Sequence, residues 1–121
     1  MIEVVSESRC IKCDVCIRVC PTNVFERGPK GVPQIVRQDD CQTCFMCEAW
    51  CPTDALFVAP LIEPAPVGSV LRDEDELVRR DLLGSYRRQL GWSEGQEPTA
   101  ARDTTTTVLA AFHGPQPPRR R

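Results

Sequence analysis

The apolar residues of the chain fall into short stretches separated by cysteine, glycine and proline. Ile2-Glu3-Val4-Val5 and Ala55-Leu56-Phe57-Val58 have the composition of strands, and we expect them to pair as the terminal strands of a small sheet. Residues 23–27 and 32–36 flank Gly28-Pro29-Lys30-Gly31, a sequence that predicts a β-hairpin. The residues after Cys16 and after Cys47 leave room for two short helices, each ending at a Cys-Pro pair. Phe25 and Phe57 are expected in the core.

The second half of the chain predicts one longer helix, from Asp73 to Leu90. Its start is acidic and its end is basic, which suits the helix dipole, and Gly91 is placed to end it. Leu83, Tyr86 and Leu90 form an apolar stripe at helical spacing, although Gly84 interrupts it. Residues 93–107 are polar and predict a loop. Residues 108–112 are a short apolar run, and residues 115–121 are expected to fray.

The cysteines carry the strongest signal in the sequence. The chain has 121 residues, and all eight of its cysteines lie between Cys10 and Cys51. They form two copies of the motif C-x-x-C-x-x-C-x-x-x-C-P-T, offset by 31 positions. Such a duplication predicts two similar halves related by an approximate twofold axis. The two copies contain Cys10, Cys13, Cys16 and Cys20, and Cys41, Cys44, Cys47 and Cys51.

Several chemistries use cysteines, and the spacing favours iron–sulfur ligation among them. Structural zinc prefers paired C-x-x-C knuckles with four ligands to each ion. Disulfides need an oxidising compartment, and a thiol redox pair would not need eight cysteines. A triple C-x-x-C-x-x-C loop presents three thiolates to one compact centre and needs a fourth ligand from elsewhere.

Composition and charge exclude several classes of function. The chain has no run of eighteen apolar residues, so no membrane span is expected. Residues 1–9 do not read as a secretory signal, which predicts a cytoplasmic protein with reduced cysteines. The net charge of −2 argues against nucleic-acid binding. No phosphate-binding loop, nucleophile–base pair or carboxylate dyad is present, so no catalytic site of its own is expected.

With both motifs complete, residues 1–60 resemble the bacterial dicluster 2[4Fe-4S] ferredoxins. The resemblance implies an α+β fold with a pseudo-twofold axis, two strand pairs and two short helices, followed by an extended C-terminal tail with one helix. It implies two [4Fe–4S] clusters and one-electron transfer. In this pattern the fourth cysteine of each motif serves the other cluster. The implied ligands are Cys10, Cys13, Cys16 and Cys51 for cluster 1, and Cys41, Cys44, Cys47 and Cys20 for cluster 2.

Residues 61–121 go beyond what a ferredoxin of this kind needs. Their layout is similar to that of the ferredoxin-like β subunit of adenylylsulfate reductase-type complexes, whose tail embraces a flavoprotein. This analogy predicts the small iron–sulfur subunit of a hetero-oligomeric, FAD-dependent oxidoreductase that exchanges electrons with an external carrier or redox enzyme. A partner with a basic docking patch is expected, because the clusters add negative charge. The alternative is a free-standing soluble low-potential ferredoxin whose tail is an intramolecular cap.

A few single residues carry weaker expectations. Trp50 precedes Cys51, where the family has a small residue, and its predicted role is to fill the core; shielding a cluster or lining an electron path is the alternative. Phe45 lies between Cys44 and Cys47. Asp39 and Asp40 are expected to be solvated. His113 is not expected to be a ligand, and the terminal Arg119-Arg120-Arg121 is expected in solvent.

Overall fold

The computed structural model of the chain describes residues 1–102 and 104. Four short strands and four short helices follow the chain in the order β1, α1, β2, β3, α2, β4, α3, α4. Their bounds are Ile2–Val5 (β1), Val15–Val19 (α1), Phe25–Arg27 (β2), Pro33–Ile35 (β3), Met46–Trp50 (α2), Leu56–Val58 (β4), Glu74–Arg79 (α3) and Ser85–Gln89 (α4). Single 3₁₀ turns lie at Gln38–Asp40, Val70–Arg72 and Thr99–Arg102.

The strands form two small antiparallel sheets. Strand β1 pairs with β4, with Ile2 opposite Val58 and Val5 opposite Leu56, and an irregularity lies between Ile2 and Val4. Strands β2 and β3 form the hairpin, with Phe25 opposite Ile35. Both predicted pairings are confirmed. Helices α1 and α2 begin one residue before Cys16 and Cys47 and end directly before Cys20 and Cys51, as the Cys-Pro pairs indicated.

The backbone repeats the duplication seen in the sequence. Three pairs of non-glycine residues, each 31 positions apart, adopt the left-handed conformation that side chains other than glycine rarely adopt. The pairs are Lys12 with Thr43 (φ 61° and 53°), Asp14 with Phe45 (φ 61° and 62°), and Asn23 with Asp54 (φ 64° and 52°). The same three bends in each copy show that the two cysteine motifs fold alike.

Two apolar clusters form the interior of the described residues. The first joins β1, β2 and β4 to the cysteine loops and includes Phe25, which is 3% exposed. The second joins Val4 and Phe57 to Leu77 and Leu83. The predicted core positions of Phe25 and Phe57 are confirmed.

The structure breaks the helix that was predicted from Asp73 to Leu90. Asp73 caps the N-terminus of helix α3, because its carboxylate accepts hydrogen bonds from the backbone amides of Asp75 and Glu76. It ends at Arg79, and the left-handed conformations of Asp81 (φ 55°) and Gly84 (φ 70°) turn the chain before α4 begins. The prediction of a single helix is therefore wrong. Gly91 (φ 72°) follows α4 in the capping position expected for it.

Residues 61–92 pack back onto the first half of the chain. Leu77 and Leu83 are both 1% exposed against β1 and β4, and the Gly84 amide donates to the Leu56 carbonyl over 3.0 Å. Arg88 contacts the Asp54 carboxylate at 3.4 Å, and the Arg87 guanidinium donates to the Ala49 carbonyl at 2.7 Å. This part of the predicted extended tail therefore shares a core with residues 1–60.

Some sequence expectations concern residues beyond this packed segment. Within the predicted loop of residues 93–107, residues 99–102 form a 3₁₀ turn. The apolar run at residues 108–112, His113, the segment 115–121 that was expected to fray, and the terminal arginines lie outside the described residues. Among the described residues, no helix has both the length and the apolar character needed to cross a membrane.

Gly84 provides a direct test of this packing. A Cβ atom at this position would lie 2.1 Å from the Asp54 Oδ1 atom, and φ is +70°. We expect Gly84→Ala to lower the free energy of unfolding by about 2–5 kcal/mol, from left-handed strain and overpacking together. The measurement is an anaerobic denaturation curve followed by circular dichroism.

Gly68→Ala is the matched control, because Gly68 has φ +83° and nothing within 4 Å of the added Cβ. It isolates the conformational cost, which is about 1–2 kcal/mol. Equal losses in the two variants would show that residue 84 does not pack against Asp54.

Candidate metal centres

The eight cysteines line two separate cavities that open in part to solvent. The first is lined by Cys20, Cys41, Cys44 and Cys47, and the second by Cys10, Cys13, Cys16 and Cys51. The two cavities share no lining residue. Each therefore brings together three cysteines of one motif and the last cysteine of the other.

The left-handed bends form each cysteine loop. Lys12 and Asp14 have positive φ between Cys10 and Cys16, and Thr43 and Phe45 have positive φ between Cys41 and Cys47. Alternating right- and left-handed residues turn successive backbone amides towards one concave side, which suits an anionic group. The loops thus present thiols and backbone donors to the same space.

The first three cysteines of each copy show the same order of burial, whereas the fourth is half-buried in the first copy and buried in the second. Cys16 and Cys47, in the first turn of α1 and α2, are buried, whereas Cys13 and Cys44 are exposed. Cys51 is also buried. Each cavity therefore has one protected side, towards the core, and one side near the surface.

Several sulfur atoms already accept backbone hydrogen bonds. The amides of Lys12, Ala55 and Ile2 donate to the Sγ atoms of Cys10, Cys51 and Cys41, each over 3.3 Å. The Thr22 and Thr53 hydroxyls lie 3.8 Å from the sulfurs of Cys20 and Cys51, again 31 positions apart. Such donors stabilise thiolate sulfur and influence the reduction potential of a cluster.

Burial and neighbouring sulfurs shift the thiol pKa values of the metal-free chain. Burial, with Cys51 adding to it, raises the pKa of Cys16 to about 11. Burial also raises the pKa of Cys47, and Cys16 and Cys41 add to the effect. At Cys20 burial acts in the same direction, but hydrogen bonds from the Val24 and Thr22 backbone outweigh it and lower the pKa. Metal binding must therefore displace protons from buried thiols.

Glu48 is a buried carboxylate on α2 between Cys47 and Cys51. It is 0% exposed, and its oxygens accept hydrogen bonds from the amides of Val58 at 2.8 Å and Tyr86 at 2.9 Å. Burial raises its pKa, and these hydrogen bonds partly oppose the shift. Glu48 therefore ties the helix of one cysteine loop to β4 and to the start of α4.

Aromatic contacts around α2 differ from the sequence expectation. Trp50 does not fill the core: it is 47% exposed and meets Trp92 edge-on, with ring centroids 5.4 Å apart. Phe45 packs against Tyr86, with centroids 4.7 Å apart. The sequence gave no indication that Glu48, Tyr86 and Trp92 would lie beside the cysteine loops, because these contacts join residues distant in sequence. Asp39 and Asp40 are exposed, as expected.

The donor set fits iron–sulfur clusters. Each cavity has four thiols, and most of its other lining residues are apolar. Across residues 1–102 and 104, no group of three His, Cys, Asp or Glu side chains converges on a point suited to one metal ion. The four thiols of each cavity line one space, and a [4Fe–4S] cluster takes four thiolate ligands.

Part of the chain matches a known family model. Residues 9–55 match the model of the 4Fe-4S dicluster domain. This segment is similar to that domain. No protein of curated function matches the chain. The dicluster domain and its eight cysteines fit two [4Fe–4S] clusters, and a domain of this kind supports electron transfer.

Removal of the clusters should unfold the first half of the chain. Cys16, Cys47 and Cys51 belong to its apolar cluster, so loss of the metal leaves voids and unbridged loops in the interior. We expect iron chelation to abolish the amide-exchange protection of β1 and β4. Measuring protection before and after anaerobic chelation checks this, and apo protein with protected strands would contradict it.

Proposed function

We propose that the chain carries single electrons through two [4Fe–4S] clusters with crossed ligands. Cys10, Cys13, Cys16 and Cys51 would hold cluster 1, and Cys41, Cys44, Cys47 and Cys20 would hold cluster 2. The observation that supports this assignment is the division of the cysteines between the two cavities. Each cluster supplies one-electron redox chemistry when bound.

The chain's own residues would set the conditions for this transfer. The core side of each cavity excludes water, and the amides of Lys12, Ala55 and Ile2 stabilise negative charge on sulfur. Cys13 and Cys44 are exposed and give each site a short route to the surface. No residue needs to donate or accept a proton for an electron to pass.

Four serine variants test the crossed assignment. We expect Cys20→Ser to perturb the same electron paramagnetic resonance signal of the reduced protein as Cys41→Ser, and Cys51→Ser the same signal as Cys10→Ser. The reason is that each pair would ligate one cluster although its members belong to different motifs. If Cys20→Ser instead matches Cys10→Ser, the ligands are not crossed.

We further propose that residues 61–92 act as an intramolecular cap. Contacts with the first half of the chain support this proposal. Leu77 and Leu83 pack in the shared core, the Tyr86 ring packs against Phe45, and the Tyr86 amide donates a hydrogen bond to Glu48. These contacts account for apolar residues that would otherwise need a partner subunit. A free-standing soluble low-potential ferredoxin is thus the function that the packing favours.

A second candidate is the small iron–sulfur subunit of an FAD-dependent oxidoreductase, anchored on a flavoprotein by residues 61–121. The observation that favours it is the exposure of Ile62 (88%) and Val67 (94%), two apolar residues of the cap that face solvent. Exposed apolar side chains of this kind fit the anchoring surface of a permanent partner.

Affinity purification from the native host under anaerobic conditions separates the two candidates. For the subunit, we expect a stoichiometric flavoprotein to accompany the full-length chain and Val78→Asp, but not an Ile62→Asp/Val67→Asp variant. Val78 is the control because it is 43% exposed on α3. Isolated brown monomers from all three would contradict the subunit and agree with a diffusible ferredoxin.

A further inference from the structure

The two copies of the cysteine repeat carry opposite charge. Residues 7–37 contain six basic and three acidic residues, a net charge of +3, whereas residues 38–68 contain five acidic residues and no lysine or arginine. The basic residues of the first copy are Arg9, Lys12, Arg18, Arg27, Lys30 and Arg37, and the acidic residues of the second are Asp39, Asp40, Glu48, Asp54 and Glu63. The backbone is duplicated, but its charge is not.

Ion pairs neutralise every acid of the first copy. Arg27 pairs with Asp14, Lys30 lies 3.7 Å from Glu7, and Arg37 lies 2.7 Å from Glu26. The positive charge that remains is on Arg9, Lys12 and Arg18, of which Lys12 and Arg18 are exposed.

In the second copy the charge that remains at the surface is negative. Glu48 is buried, and Asp54 contacts Arg88. Asp39 and Asp40 are exposed in the 3₁₀ turn directly before Cys41.

The two exposed cysteines, Cys13 and Cys44, lie within a few positions of exposed residues of opposite charge in the sequence. Exposed Cys13 follows Lys12 and lies near Ile11, which is 59% exposed. Exposed Cys44 is two positions before Met46, which is 39% exposed. The loop that contains Cys44 follows the 3₁₀ turn of Asp39 and Asp40. Within a few positions of sequence, each copy thus has an exposed cysteine, an exposed apolar residue and an exposed charged residue, and the charges are of opposite sign.

We propose that the two surfaces exchange electrons with partners of opposite charge. The surface of Ile11, Lys12 and Cys13 fits a redox partner with an acidic rim. The surface of Asp39, Asp40 and Cys44 fits one with a basic rim. This deepens and rests on the proposed electron transfer, because it gives the chain separate entry and exit surfaces for one electron.

The physical basis is electrostatic steering. Complementary surface charge raises the rate of encounter and fixes the orientation of docking, and salt screens the effect over about 10 Å at 0.1 M ionic strength. A single charge beside an exposed cysteine therefore acts on the approach of a charged molecule to that cysteine more than on its approach elsewhere.

Inert charged complexes locate the surfaces without any electron transfer. In nuclear magnetic resonance spectra of the oxidised holoprotein, anionic hexacyanochromate(III) should broaden the amide signals of Lys30 and Gly31 first. Gly31 reports on this surface because the Lys12 side chain lies against it, 3.2 Å from the position of an added Cβ. Cationic hexaamminechromium(III) should broaden Gln38 and Asp39 first. Equal broadening of both regions by both complexes would overturn the proposal.

Oxidation of the reduced holoprotein provides the second readout. One electron leaves the protein and reduces Fe(III) of hexacyanoferrate(III), or Co(III) of hexaamminecobalt(III), and no proton or covalent bond is exchanged with the protein. At low ionic strength we expect Lys12→Gln to slow the reaction with hexacyanoferrate about threefold and Asp40→Asn to slow the reaction with hexaamminecobalt about threefold.

Two exposed residues away from the cysteine loops provide controls of equal charge change. Gln89→Glu matches Lys12→Gln, and Glu94→Gln matches Asp40→Asn. If each control variant changes the oxidation rate as much as its matched loop variant, only the net charge of the protein matters and the proposal is wrong. A holoprotein that cannot be reduced would disprove electron transfer itself, and the broadening pattern would still decide whether the surfaces discriminate by charge.

Discussion

The structure depends on bringing eight thiols from two sequence motifs around two cavities. With a core this small, the short sheets and single-turn helices bury too little apolar surface to fix the cysteine loops by themselves. The loops adopt left-handed conformations at Lys12, Asp14, Thr43 and Phe45, which cost free energy at non-glycine residues. The metal centres that the thiols fit supply a compensating stabilisation, because they form only when the loops are closed.

Glu48 connects this metal-dependent half to the rest of the chain. A carboxylate with no solvent exposure is costly unless its oxygens are hydrogen-bonded, and here the donors come from β4 and from the turn into α4. The cap therefore completes the polar contacts of a residue placed between Cys47 and Cys51. Loss of the cap would leave this carboxylate without its Tyr86 and Ser85 partners, so the two halves stabilise one another.

The sequence predicted the parts of the fold that are determined locally. The cysteine spacing, the Cys-Pro pairs and the glycine-rich turn indicated the two loops, the ends of α1 and α2 and the hairpin. The break between α3 and α4 was missed because the left-handed conformation of Asp81 and the close approach of Gly84 to Asp54 are tertiary features. Trp50 was misplaced for the same reason, since its neighbour Trp92 lies on the cap.

The duplication explains why the cap binds α2 and not α1. At positions equivalent to Phe45, Glu48 and Ala49, the first copy has Asp14, Ile17 and Arg18. Only the second copy therefore offers an aromatic ring to the side chain of Tyr86 and a carboxylate to its amide. One duplicated backbone thus acquires a covered and an uncovered helix. The two cysteine cavities thus have similar backbone loops but different surroundings, and solvent exposure and nearby charge are among the factors that set the potential of a cluster.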